Sequence, residues 1–516
     1  MQMTKYFCLA FVCLALTARA QEKQTPATPP SQPPQSEQPA SETRKTRVLT
    51  IQEAIQLALE HNLDIQITRY QPQFDQYALN IAFAAWEPAF NFSASHTYDA
   101  SPGFPLSGTT AGTPANTSAR DVYDANLGGL LPSGLTYTLN GPMTRNTTFG
   151  LTNSLTTYST FPLLTLKQPI LKNFWIDSAR YQIQIDKRNL KIDELALRLK
   201  IMTVVEQVKA AYFNLIFSRE NVKVNALALQ LAEQLQAEDI KRVQVGALAP
   251  LDEKQAESQA ASSRANLLQA EQTLSVQENV LKNLFSDNFS EWANVTPIPS
   301  EELVAVPEEL NLQESWRRGV EQRPELLEAR LNIEKQNITI KYNYNQLFPE
   351  VDLTGSYGHN AFENTFENSL DTIRQGRFPT YSYGIQATIP LGNTSARNTY
   401  RSAKASLKQI LLQLKQLEQN VVVAIDNDVK LVTSDLQQVK ATREARIYAE
   451  EALKAEQTKL ANGKSTSFIV LQLQSNLTSA RSSEIRALAN YNIDLEQLSL
   501  DEGNVLQRNH IDLNLK

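Results

Sequence analysis

Few residues in this chain have types and spacing that could do chemistry. Gly463-Lys464-Ser465-Thr466 has the ending of a phosphate-binding loop. Such a loop needs a first glycine five residues ahead of its Gly-Lys pair, a strand leading in and a helix leading out. Thr458 holds that first position, and "REARIYAEEALKAEQTKL" reads as helix, so the phosphate reading fails twice. The histidines, His61, His96, His359 and His510, are scattered, and none has a metal-ligand or nucleophile partner at useful spacing. Asp252-Glu253 reads as acidic charge favouring the positive end of a helix. Without a catalytic constellation, no enzyme, cofactor or metal site is expected. What remains to explain is a lone glycine, Gly463, inside a long helical stretch.

The compartment comes first. "MQMTKYFCLAFVCLALTARA" has a lysine, a short apolar run and an Ala18-Arg19-Ala20 ending, so residues 1–20 are expected to be a cleaved secretory signal peptide. Cys8 and Cys13 would leave with it, and neither sits in a lipid-attachment context. Losing Lys5 and Arg19 would take the formal charge from −6 to −6 − 2 = −8. A mildly acidic exported chain is a poor candidate for nucleic acid. Residues 21–47, with Pro26, Pro29, Pro30, Pro33, Pro34 and Pro39, are expected to form an extended tether. No later segment has the apolar length of a spanning helix, so entry into a membrane would have to use β-strands.

The chain repeats its own plan. "LTIQEAIQLALEHNLDIQITRY", from Leu49, and "LNLQESWRRGVEQRPELLEARL", from Leu310, align without a gap and run on to Pro88 and Pro349. After each proline, helical periodicity gives way to alternation, "FNFSASHTY" and "VDLTGSY". The copies are placed at 48–300 and 301–508, with 509–516 a short tail.

Glycine and proline sort by region. Neither occurs in 170–245 or 393–462, and each run ends at a single turn, "VGALAP" or "NGKST". Gly246 and Gly463 therefore read as left-handed residues that turn two helical hairpins, and Lys464 as a solvated tip residue. In the second hairpin an apolar stripe runs from Leu407 to Val439, ten positions over 32 residues. Its mean step of about 3.56 lies between straight-helix and heptad periodicity, so these helices are expected to pack side by side at shallow angles. Strands are expected at about 89–98, 160–170, 350–358 and 380–390. The insert between the first two is left open between an extra hairpin and a loop.

This order of features resembles the TolC-like outer membrane efflux proteins over roughly 49–508. The resemblance is carried by the paired "L-x-[IL]-Q-E" openings, the proline-then-strand step, the "QPIL" and "TIPLG" exits, and the hairpin turns "VGALAPLDEKQAE" and "NGKSTSFIVLQLQ". It implies a mixed α/β membrane protein, in which coiled-coil-like hairpins form a periplasmic tunnel below an antiparallel β-barrel shared by three chains. Four strands per chain cannot close alone, whereas a homotrimer would have about twelve. The implied function is a passive exit duct for efflux or type I secretion, lodged in outer membrane lipid. Its partners would be a periplasmic adaptor and an inner-membrane pump. The resemblance also makes Val245, Gly246, Ala247, Leu248, Asn462, Gly463 and Lys464 adaptor-docking tips, and Asp252 a periplasmic gate residue. The second hairpin departs from the family's gate pattern, with Ser465, Ile469 and Gln472 where the best-known member has charged residues. The alternative is an exported, soluble coiled-coil structural protein of the periplasm.

Overall fold

The computed structural model describes residues 45–101, 116–149, 153–246 and 248–511. The expected signal peptide, most of the tether, Ala247 and the end of the tail lie outside the described residues. Residues 45–47, assigned to the tether, instead open a strand, Lys45–Leu49, that pairs in parallel with Val295–Pro299.

Each copy opens with a helix pair. In the first these are α1 (Ile51–His61) and α2 (Leu63–Phe83). Thr50 caps α1 by accepting from Glu53 N, and the Glu53 carboxylate returns the bond to Thr50 N. Asn62 caps α2 through Ile65 N. Each copy then enters the sheet, leaves it through a long helix and returns through a shorter one. The first long helix is α3 (Ser178–Gln244), of 67 residues, and its return is α4 (Pro250–Phe285). The second copy has α5 (Leu312–Gln322), α6 (Pro324–Asn345), α7 (Thr394–Ala461), of 68 residues, and α8 (Ser467–Asp501). At 1.5 Å per residue, α3 and α7 are each about 100 Å long. α3 packs against both α4 and α8, and α8 packs in turn against α7.

Nine strand segments form one antiparallel sheet, and register joins them into six long strands. They are β1 (Ala89–Ser101), β2 (Asn116–Leu130), β3 (Thr136–Asn140 with Met143–Phe149), β4 (Ser154–Thr160 with Leu163–Pro169), β5 (Glu350–His359 with Ala361–Glu363) and β6 (Pro379–Thr388). The interruptions at Gly141-Pro142 and Phe161-Pro162 do not shift the pairing. Thr136 faces Lys167 and, seven residues along each strand, Met143 faces Thr160. The sheet is thus a simple meander from β1 to β6. This corrects the expectation of four strands per chain. The insert supplies two more, because proline and glycine break its hydrogen bonding locally without moving the register.

The sheet-to-helix steps use the same device in both copies. Asn173 and Asn393 have left-handed backbones, φ 66° and 44°, a conformation asparagine tolerates better than most residues. Asn345 Oδ1 accepts from Asn173 N at 2.6 Å, and Asn393 Nδ2 donates to Leu347 O at 3.0 Å, so each step is tied to the end of α6. Midway along the helices a core gathers around Tyr212, Phe285, Ile201 and Val208. The Tyr212 hydroxyl donates to Leu49 O at 2.8 Å, fixing the parallel strand pair to α3. Packed this way, the helices hold the hairpin turns at one end of the molecule and the sheet at the other.

Candidate functional site

The two turns at the far end of the helices are built as their glycines require. Gly246 and Gly463 have φ of 79° and 70°, where a side chain is strained, although nothing lies within 4 Å of a Cβ added at either. Their role is backbone conformation and not close packing. Val245, Gly246, Asn462, Gly463 and Lys464 are exposed, Leu248 is half-buried, and Ala247 is outside the described residues. Asn462 Nδ2 bonds back to Thr458 O at 2.8 Å and closes the last turn of α7.

Asp252 lies in the first turn of α4, where its Oδ2 accepts from Ala249 N at 3.2 Å. In this chain it therefore caps its own helix. Ser465 donates to Glu456 within the second hairpin, and this bond holds that carboxyl below its usual range. A bond that links the hairpins near their tips was not read from the sequence. Asp239, wholly buried on α3, accepts from Ser467 Oγ at 2.8 Å at the start of α8. Burial raises its pKa, and the serine bond partly opposes that. The signal was present in the spacing, since Ala232, Leu235 and Asp239 follow one another at helical intervals on a buried face. Beside this link, α4 and α8 border an open groove of about 570 Å³ lined by Leu251, Gln255, Ser258, Phe468, Leu471 and Gln472.

At the other end, the sheet leaves one apolar face uncovered. On β1, Phe90 and Phe92 are 67% and 64% exposed, and on β6 Tyr381, Tyr383 and Ile385 are 70% or more exposed. The residues that follow each of them are Asn91 and Ser93 on β1, and Ser382, Gly384 and Gln386 on β6. Such alternation, apolar on one face and polar on the other, is the pattern of a lipid-facing barrel wall. Among the described residues no helix is long and apolar enough to cross a membrane. No cluster of His, Cys, Asp and Glu there could hold a metal ion.

A family model described as outer membrane efflux protein matches residues 54–285 and 318–501, one stretch in each copy. The chain belongs to the outer membrane efflux protein family. No curated protein is a significant sequence match. Among solved structures it is similar to the channel CusC, with 17% identity and a TM-score of 0.64, over 88% of this chain and 92% of that one. It is similar to the CmeC outer membrane channel of Campylobacter jejuni, with 16% identity and a TM-score of 0.64, covering 88% and 85%. It is also similar to the outer membrane protein VceC of Vibrio cholerae, with 17% identity and a TM-score of 0.63, covering 88% and 96%. At these identities the likeness shows the fold. Membership of the family places this efflux protein in the outer membrane, with its helices in the periplasm, and sets aside the soluble coiled-coil alternative.

The efflux protein also buries carboxyl groups that the sequence did not single out. On α7, Ile425, Asp428, Val432, Asp435 and Val439 occupy one heptad seam, and on α8 Tyr491, Asp494, Leu498 and Asp501 occupy the facing one. Asp428 pairs with Asp501, and one heptad away Asp435 pairs with Asp494. Asp428 and Asp494 are each pushed up to about 7, first by burial and then by the neighbouring carboxyl. Arg323, which bonds Asp501 at 3.2 Å, and Asp494 also face Asp428, the arginine lowering its pKa and the acid raising it. Two carboxylates have no donor between them, so each pair forms its hydrogen bond when one member holds a proton.

A group whose pKa is raised on folding stabilises the fold most below its unfolded value, near 3.8 here. That contribution falls as the pH rises toward about 7 and is gone above it. The α7–α8 pair is therefore expected to resist denaturant better at pH 5 than at pH 8. Asp428→Asn with Asp494→Asn, which places a permanent donor in each pair, should flatten that difference. Denaturant midpoints at the two pH values test this, and an unchanged pH difference in the double variant contradicts the assignment.

Proposed function

We propose that this protein is the passive outer-membrane exit duct of a tripartite efflux or type I secretion assembly, with three copies sharing one barrel and one tunnel. The observation that carries the reading is the end-to-end join of a sheet with an uncovered apolar face to hairpins about 100 Å long. That length bridges a periplasm, and a narrow apolar stripe leaves room for water-facing surfaces.

Two features support a homotrimer. The sheet has free edges at β1 and β6, which need partners inside a bilayer. On α2, Ile67, Tyr70, Phe74, Tyr77 and Ile81 recur at intervals of three and four residues, and every one is exposed in the single chain. A neighbouring copy would bury this stripe. Driving force would come from an inner-membrane pump, and its adaptor would dock on the exposed Val245, Gly246, Asn462, Gly463 and Lys464, with Ala247 and Leu248 completing the first tip.

With the hairpins converging on a threefold axis, the Asp252 carboxylates form a ring at the narrow end, which draws cations and repels anions. Capping and ring roles coexist, because one oxygen takes the Ala249 bond while the charge faces the opening. Asp252→Asn keeps an oxygen for the cap and removes the charge. In planar bilayers with asymmetric salt, the variant's reversal potential is expected to move toward zero. An unshifted potential with unchanged conductance would leave Asp252 a helix cap alone.

The turns are tested separately. Gly246→Val and Gly463→Val strain a left-handed backbone with open space around it, at a cost of roughly 1–2 kcal/mol. Substrate accumulation in cells is expected to rise, while trimer and barrel survive on semi-native gels. Unchanged efflux in both variants would remove the tips from the docking surface.

A further inference from the structure

The hairpin β2–β3 is the part of the sheet that the duplicated plan does not require, since the second copy passes from β5 to β6 with a single return. We propose that this hairpin is membrane wall, so that the channel's barrel has eighteen strands and a lumen about half again as wide as a twelve-strand wall would give. The strand total rests on the homotrimer reading above; the wall assignment does not.

Register is the first support. One transverse row, Phe90–Leu127–Leu139–Leu164–Tyr357–Tyr381, crosses all six strands through direct pairings. Each of its residues is large and apolar, including the two from the hairpin. The next row on the opposite face, Ala89–Gly128–Thr138–Thr165–Ser356–Ser382, is small throughout and polar from Thr138 onward. Adjacent residues thus alternate over Tyr123–Gly128 and Thr136–Asn140 as they do in the strands on either side, and farther out the ion pair Asp121–Arg145 ends the apolar face. A hairpin serving as a surface loop or a plug in the lumen would have water on both faces and no reason for that alternation.

Length and anchoring agree. β2 has 15 residues, and a tilted membrane strand needs about 9–11. At its inner end the hairpin turns through Gly134, φ 84°, where an added Cβ would come within 2.8 Å of Arg180 Nη2. Arg180 also donates to Asn173 O and Phe174 O, both at 2.9 Å, and its Nε bonds Asp177 at the cap of α3. The extra turn is therefore seated on the step where sheet becomes tunnel. Because the insert is a pair of strands, β1 and β6 still run in opposite directions, and closure between copies remains antiparallel. The wider mouth places the size limit on cargo at the hairpin tips.

Thiol accessibility tests the wall. Cys8 and Cys13 are the chain's only cysteines, and both precede Gln21, the expected start of the mature protein. Thr138→Cys and Leu139→Cys are each made in the full chain, reconstituted in phospholipid vesicles and exposed to a charged, membrane-impermeant maleimide. Labelling is expected at 138 and lost at 139, with both positions reacting after denaturation. Equal labelling of the two in intact vesicles overturns the wall assignment. Should Leu139→Cys fail to insert, Thr136→Cys and Tyr137→Cys make the same comparison one row inward. Native mass spectrometry counts the chains independently. Alternating labels with a chain number other than three would refute the eighteen-strand total and the trimer together, and leave the hairpin in the wall.

Discussion

The two unpaired edges of the sheet, β1 and β6, constrain everything else in this protein. In hydrocarbon an unpaired peptide group costs several kcal/mol, so a spanning sheet must close. Six strands do not make a closed barrel, and known barrels of this kind start near eight. In the proposed assembly the chain finds its missing strand partners on other copies. Once copies are ringed to satisfy the edges, their helices are ringed as well, because Asn173 and Asn393 fix each long helix to the end of a wall strand. The proposed tunnel thus follows from the barrel's hydrogen bonding.

Inside each chain, the helices meet a second requirement. A helix of 67 or 68 residues cannot be held by one compact core. It is held instead by a narrow seam of small clusters along its length, at Tyr212 and Phe285, at Val421 and Tyr491, and at Leu235 and Val470. Polar groups interrupt this seam at fixed intervals. Asp239 with Ser467, and the paired carboxyls of α7 and α8, permit one register between neighbouring helices, since a slip of one turn would strand a buried carboxyl opposite a hydrocarbon.

Much of this was legible in the residues. The prolines before the alternating stretches announced the entries into the sheet, the runs without glycine or proline announced the hairpins, and Gly246 and Gly463 took the left-handed backbone expected of them. The hairpin β2–β3 was not legible as wall. Its Gly128-Gly129, Gly141 and Pro142 are turn formers by propensity, yet here Gly129 makes room for the Tyr137 ring and the proline sits at a gap in hydrogen bonding that leaves register intact. Pairing with neighbours decided the outcome, and pairing is invisible to a local reading. The buried aspartates escaped for a related reason. A charge in a polar helix reads as solvated until the facing helix is known, and Asp428 resembles Asp426 until α8 covers one of them. Asp252 was read both as cap and as gate, and the cap is the role visible in a single chain.

The central claim is that β1 of one copy completes the sheet of the next at β6. Paired cysteines test it most directly: one at Asn91, Ser93 or Ser95 on β1, the other at Ser382, Gly384 or Gln386 on β6, all on the polar face. Oxidation of the membrane-inserted protein should give, for at least one pair, a reducible ladder that stops at three chains. A ladder absent for every pair, or a cross-link formed within one chain, would contradict the shared barrel.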